Sequence, residues 1–351
     1  MHDRPDIALV SLGTTPGLRR SDESFAALVR AAGSSCQIVP VRIGVAGALR
    51  RQIAVTDLVE ALAARRSAAQ IRARAVVYST ITAALLQRGR EEPYAIRFDA
   101  TASLNRPGLG GAWQRAAERR ALRGARVLIP VSRGAEAGMP DLGPAPPPVV
   151  RLPIPIEELT GAPERDIDAV AYAGYPRKRG LELLCAAWAA AAPGSGGRFV
   201  IGGLDRVKGL RWLERQGVPE PAGVEWAGEL PRAEWLRLVA RARVYANASR
   251  WEDFGLGPLE ALAAGTPVAT VPTPGSFEAL PLARELAPGL VARDLSGDAL
   301  AGALRAGLAM GEEERRDYAA RARELLAPYR EERVVDALRT TVLPALGVTP
   351  R

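Results

Sequence analysis

The chain has almost no histidine, very little lysine and few aromatic side chains. His2 is the only histidine in 351 residues, so a histidine triad or a histidine-rich metal site has almost nothing to build on. Lys178 and Lys208 are the only lysines. Arginine is therefore the default cation, and its choice at any one position carries no message. The two cysteines, Cys36 and Cys185, lie far apart in apolar segments. They read as free buried thiols, which suits a reducing cytosol. No apolar run reaches about 18 residues, so no membrane-spanning helix is expected. The first residues, Met1 to Asp6, are charged and lack the apolar region of a signal peptide. The expectation is a cytoplasmic protein.

Hydrophobic residues make up 48% of the chain, and its length suits two domains better than one. The net charge of +8 is uneven. Residues 1–160 hold 22 arginines and 14 acids, a net of +8; residues 161–351 balance to zero. Arg115, Arg119 and Arg123 recur on one helix face, and Arg50, Arg51, Arg65, Arg66, Arg72 and Arg74 add to the basic surface. This reads either as a solvated face or as a dock for an anionic lipid headgroup on the inner face of the cell membrane. No basic stripe carries interleaved aromatics, so no nucleic-acid partner is expected.

Apolar runs of strand length alternate with amphipathic stretches of helix length. Strands are expected at 7–11, 37–41, 75–79, 94–98 and 127–132, with helices at 23–32, 55–65 and 113–123. A proline-rich stretch, Pro140 to Pro155, reads as a linker or an extended crossing segment. The alternation then restarts. Strands are expected at 169–173, 199–203, 224–228, 244–248 and 267–271, with helices at 180–191, 206–216 and 232–242. The tail from Glu312 to Leu346 reads as helix, broken at Pro328. This is the pattern of an α/β protein with two parallel-sheet, Rossmann-like domains. Neither first strand is followed by G-x-G-x-x-G, which disfavours a dinucleotide oxidoreductase.

The most informative stretch is Glu252-Asp253-Phe254-Gly255-Leu256-Gly257-Pro258-Leu259-Glu260, followed by Ala261 to Val268. Two carboxylates stand eight positions apart around a glycine-rich turn. Pro258 suits a first helical position, Glu260 a first helical turn, and Gly265 the residue just past the helix end. A helix that opens on a glycine-lined loop can hold an anion. A carboxylate there needs another partner, and ionised glutamate can accept from sugar hydroxyls.

This stretch resembles the Glu-x7-Glu motif of family 4 of the retaining glycosyltransferases, which have the GT-B fold. The usual form is near E-G-F-G-L-x-x-x-E-A-M-A-x-G-x-P-V; here Asp253 replaces the first Gly and Leu262 the Met. The resemblance implies two facing Rossmann-like domains, at 1–155 for the acceptor and 156–327 for the nucleotide sugar. It also implies a last helix, 328–351, that crosses back to the first domain. It covers most of residues 125–310.

Other segments fit the same family. Gly174-Tyr175-Pro176-Arg177-Lys178-Arg179-Gly180 is similar to its G-R-x-x-x-x-K-G diphosphate clamp. Arg179 stands in place of the Lys, and Tyr175 where its Arg is expected. Arg179 with either Arg177 or Lys178 would hold the diphosphate; a solvated basic turn is the plainer reading. Trp226-Ala227-Gly228-Glu229-Leu230 resembles the loop that contacts the nucleotide base. Trp226 would stack there or sit in the core, and Gly228, Glu229 and Leu230 would use their backbone. Ser249 would lie near the nucleotide. The resemblance gives Glu252 the transferred sugar and Glu260 the ribose, with Asp253, Phe254, Gly255 and Leu256 lining the donor. Gly13 to Gly17 reads equally as a wall of the cleft or as a structural turn.

Two departures stand out. The family often has apolar-His-Asp near the reacting sugar, where this chain has Phe98-Asp99. Asp99 would orient sugar or acceptor, or simply cap a turn. Pro272 to Glu278 replaces a glycine-rich segment, which leaves Glu278 without an assigned role.

The resemblance implies a retaining hexosyltransferase that uses a nucleoside-diphosphate sugar and a glycan or lipid-linked acceptor. It implies no cofactor and no metal, because the cationic clamp supplies the charge. Two alternatives stand beside it: a GT-B sugar-nucleotide epimerase, and a silent nucleotide-sugar-binding scaffold. The missing His and Tyr175 favour the scaffold.

Overall fold

The computed structural model describes residues 4–42, 53–157, 164–191 and 197–350. The chain divides into two compact units. One comprises Met1–Pro155 with Glu331–Arg351, and the other Ile156–Arg330.

The first unit holds a five-stranded parallel sheet in the order β2-β1-β3-β4-β5. Its strands are β1 Ile7–Ser11, β2 Cys36–Pro40, β3 Ala75–Tyr78, β4 Tyr94–Phe98 and β5 Val127–Pro130. All but β2 are buried almost throughout, as strands covered on both faces must be. Leu9 of β1 pairs with Ile38 on one side and Val77 on the other. The chain leaves β1 toward β2 and returns to its other side at β3, so the topological switch point lies between β1 and β3.

The second unit repeats the plan with β6 Ile167–Tyr172, β7 Phe199–Gly202, β8 Val224–Gly228, β9 Ala242–Asn247 and β10 Val268–Thr270. Their order is β10-β9-β6-β7-β8, again all parallel. Its switch point lies between β6 and β9. The loops that follow those two strands carry the Arg179 turn and the Glu252 loop.

The tail from Glu331 onward belongs with the first unit. Helices Glu312–Leu325 and Glu331–Ala337 are separated by a tight turn, Ala327–Tyr329, that contains Pro328. Beyond it Val334, Leu338, Val342 and Leu346 join Ile7, Leu9 and Val29 in one hydrophobic cluster. The proline-rich segment runs extended along β5: Val150 N–H donates to the Leu128 carbonyl at 2.9 Å, and Leu152 is buried.

Two arginines of the expected basic face are spent internally. Arg115 donates to the Arg106 carbonyl, and Arg123 Nε to the Leu142 carbonyl at 3.0 Å. Arg74 stands 3.4 Å from Asp6. Arg50 and Arg51 lie outside the described residues. No helix among the described residues is long and apolar enough to cross a membrane.

The tail should stabilise the first unit by burial alone. Leu338 is fully buried, so Leu338→Ala should cost about 3 kcal/mol. Urea unfolding of the two proteins measures it, and a loss below about 1 kcal/mol would contradict the placement.

Candidate functional site

The candidate site is built on three loops at the C-terminal edge of the second sheet. After β6 the chain turns through Gly174 and Tyr175 into a single helical turn, Pro176–Arg179. Gly180 ends that turn in the left-handed region at φ +61°. A Cβ there would lie 2.3 Å from the Ala248 carbonyl oxygen, so only glycine lets this loop press against the end of β9.

The close approach brings Arg179 to the Glu252 carboxylate. The two form an ion pair through Nη1 and Oε1. Ser249 Oγ lies 2.9 Å from Glu252 Oε1 and 2.8 Å from Asn247 Oδ1, so its one proton serves one of them at a time. Arg179 Nη1 donates to Ser249 Oγ at 3.2 Å. The Arg179 guanidinium also lies over the Tyr172 ring, 5.7 Å from its centre. Arg179 Nε is buried and has no hydrogen-bond partner among the described residues.

Glu252 is held from below as well. Its N–H donates to the Pro274 carbonyl at 3.1 Å, and Gly275 pairs with it in a single bridge. Gly275 has φ +106°, and a Cβ would sit 2.1 Å from the Glu252 carbonyl oxygen. The segment that departs from the family pattern is thus the backing of the Glu252 loop. Glu278 N–H donates to the Phe254 carbonyl at 3.1 Å, and the Glu278 carboxylate accepts from the Tyr329 hydroxyl. Glu278 thus ties the backing to the Glu252 loop and to Tyr329.

The motif helix runs Leu256–Ala263, so it opens two residues earlier than Pro258 suggests. Gly255, at φ +84°, turns the chain into the helix beneath the Phe277 ring, where a Cβ would come within 2.4 Å. Pro258 is therefore the third helical residue, and Glu260 falls in the second turn rather than the first. Gly265 follows the helix end at φ +65°, as expected.

Glu260 is 5% exposed and pairs with Arg232 Nη1 at 2.8 Å. Burial raises its pKa from the ordinary 4.5 to about 7; Arg232 pulls the other way, and Glu157 adds to the rise. Desolvation outweighs the ion pair because Arg232 itself is half exposed. Arg232 opens the helix that follows Gly228, Glu229 and Leu230. The expected base-contact loop and the expected ribose carboxylate are therefore tied together.

Three expected donor residues stand elsewhere in this unit. Trp226 is a packing residue: its ring fills the space over Gly209, and its Nε1 donates to Glu220 at 2.7 Å. Strand alternation turns it toward the helix Arg206–Gln216, away from the sheet edge. Arg177 and Lys178 do not join Arg179 at Glu252. Lys178 Nζ lies 3.5 Å from Asp253, and both cations line a separate cavity. One cation of the three reaches the carboxylate cluster, because a single helical turn fans successive side chains apart.

Asp99 and Gly13 belong to the first unit. Asp99 follows β4 and lines a cavity of about 450 Å³ with Thr14, Thr80 and the Arg106–Asp57 pair. Arg106 grips Asp57 with two hydrogen bonds, at 2.8 and 3.0 Å. Gly13, at φ +53°, lies two residues past β1; its carbonyl accepts from Arg19 at 2.8 Å. A buried polar group at the β1–β3 switch point went unseen in the sequence. Asp22 accepts from Ser11 Oγ, and burial raises its pKa despite Ser11 and Arg97. The sequence also gave no notice of Tyr172 and Arg232. Asn247, a polar residue inside an apolar strand, was the one available sign.

Comparison with known proteins gives a family match to part of the chain and a shared fold. Residues 167–310 match the family model for glycosyl transferases group 1. Sucrose-phosphate synthase from Thermosynechococcus elongatus is similar in structure, with a TM-score of 0.72 at 17% identity, covering 98% of this chain and 100% of that one. WaaG, a glycosyltransferase involved in lipopolysaccharide biosynthesis, gives 0.65 at 17% identity over 95% and 100% of the two chains. HepE from Anabaena, solved with UDP-glucose, gives 0.69 at 14% identity over 96% and 99%. The chain has the GT-B fold of these glycosyltransferases. No curated protein matches it.

The raised pKa of Glu260 fixes a pH dependence. A group whose pKa rises on folding lends stability that is full below about pH 4.5 and lost as pH climbs through about 7. Relative to Glu260→Gln, the wild type should lose up to about 3 kcal/mol between about pH 5 and about pH 8. Urea unfolding at the two pH values measures the difference. A constant gap would show that Glu260 is ionised throughout.

Proposed function

We propose that this protein is a retaining glycosyltransferase that moves a hexosyl group from a nucleoside-diphosphate sugar to a glycan or lipid-linked acceptor. The observation that carries the reading is the cluster of Arg179, Ser249 and Glu252 at the β6–β9 switch point, with Glu260 held one helical turn away. Ligands of open α/β sheets bind at such points, outside the carboxyl ends of the strands. The group 1 family match spans this half of the chain.

In this reading Arg179 holds the donor diphosphate, and its unpartnered Nε is a donor in waiting. The Gly255-capped helix turns its first N–H groups toward the same charge. Both stabilise the leaving diphosphate, and no metal is needed. Glu252 accepts from hydroxyls of the transferred sugar through the oxygen that Arg179 and Ser249 leave over. Glu260 accepts from the ribose, with Arg232 favouring its ionised form against the burial that raises its pKa. The protein supplies orientation and electrostatic stabilisation, and the departing diphosphate takes the acceptor proton on the same face.

A second reading has one observation in its favour. Arg177 and Lys178 face away from Glu252, so the clamp is thinner than the family's. A protein of that kind would bind donor without turning it over.

The test is a thermal-shift screen of UDP-, GDP- and ADP-sugars in the presence of EDTA. One donor should raise the wild-type Tm, and Arg179→Ala and Glu260→Ala should each weaken its binding at least about tenfold, or about 1.4 kcal/mol. A shift that needs divalent metal, or that survives both substitutions, would contradict the assignment. Donor binding without transfer to any glycan or lipid acceptor would favour the silent protein.

A further inference from the structure

Residues 1–160 carry all of the chain's excess positive charge, yet the cavity in the first unit is lined by three carboxylates and one cation. The loops after β1, β3 and β4 supply Thr14, Thr80 and Asp99. Helix Ile53–Ala69 supplies Asp57 and Glu60. These are the carboxyl ends of the strands at the β1–β3 switch point, where open α/β sheets receive ligands. The surface that faces the space is more polar than apolar.

Arg106 is the one lining cation among the described residues, and each of its three nitrogens already donates. Nε and Nη2 hold Asp57 at 2.8 and 3.0 Å, and Nη1 holds the Asn105 carbonyl at 3.0 Å. The helical turn Ile81–Ala84 opens beside the cavity, but the Thr80 hydroxyl already accepts its Ala83 N–H at 3.1 Å. Neither the cation nor the start of that turn is left to hold a phosphate. The carboxylates would repel one.

Hydroxyl groups suit the same lining. An ionised carboxylate accepts several hydrogen bonds, so Glu60 and Asp99 can take hydroxyl protons in addition to the partners they have. Thr14, Thr82 and Asn105 can donate as well as accept. Leu12, Leu18 and Ile81 give an apolar wall for the C–H face of a sugar ring. No aromatic side chain lines the cavity, so a nucleobase finds nothing to stack on. The carboxylates do not gather into a group able to hold a metal ion among the described residues.

We propose that this cavity binds an unphosphorylated sugar and rejects the phosphate ester of the same sugar. Its volume of about 450 Å³ is that of a site for a small ligand. The role of this sugar as acceptor rests on the glycosyltransferase reading above; its binding does not.

Isothermal titration of the full chain tests the proposal. The probes are the methyl α-glycosides of glucose, mannose and galactose, each beside its 6-phosphate and its 6-O-methyl ether. At least one glycoside should bind saturably, and its 6-phosphate at least about tenfold more weakly. The neutral ether, which adds bulk without charge, should fall between them. Asp99→Asn and Glu60→Gln should each weaken the glycoside and narrow its advantage over the phosphate, with Tm as the check on folding. Saturable binding of no glycoside, a phosphate that binds as well as its parent, or an advantage unmoved by both substitutions would overturn the proposal. So would an ether excluded as fully as the phosphate, since shape rather than charge would then decide. Nucleotide sugars are absent from these titrations, so failure here and failure of the donor screen are separate results.

Discussion

Two buried carboxylates set the terms for the second unit. Glu252 and Glu260 are 3% and 5% exposed, and a charge taken that far from water needs a partner. Arg179 arrives from the loop after β6 and Arg232 from the loop after β8. Each ion pair thus fastens a neighbouring loop to the loop and helix that follow β9. Removing Arg179 would leave the Glu252 charge without its ion pair, a change that costs about 3–5 kcal/mol in comparable pairs. Such a pair is weak evidence for stability but fixes geometry, and geometry is what a binding site requires.

The glycines follow from the same constraint. Gly180 lets the Arg179 loop touch Ala248, Gly275 lets the backing segment touch Glu252, and Gly255 turns the chain under Phe277. Each takes a positive φ, and at each a Cβ would collide with backbone or a ring. Sheet order then decides where the cluster stands. β6 and β9 are neighbours without being consecutive, and the crevice beyond their ends is the natural place for a ligand.

Much of this was legible in the residues. Fully buried parallel strands read as short apolar runs, and Ile7–Ser11 or Phe199–Gly202 could hardly be anything else. Glu252, Ser249 and Arg179 were each visible from local pattern and do meet in space. What local pattern could not supply was orientation. Trp226 was open between a stacking surface and a core residue, and the ring faces a helix whose Gly209 makes room for it. Either Arg177 or Lys178 was expected beside Arg179, and one turn of helix separates both from it. Helix Gly297–Ala309 was missed because its alanines and glycines give little contrast between faces. Its small Gly297 lies close on Ala186 of another helix, a relation visible only in three dimensions. Arg232 was invisible for a related reason: its meaning depends on Glu260, 28 positions away.

The most direct test is a crystal structure with the nucleoside diphosphate that the donor screen selects. The account predicts the diphosphate on Arg179 and the first turn of helix Leu256–Ala263, with the ribose hydroxyls on Glu260 and the base along Gly228 to Leu230. A nucleotide bound elsewhere, with the Arg179–Glu252 and Arg232–Glu260 pairs undisturbed and uncontacted, would contradict it.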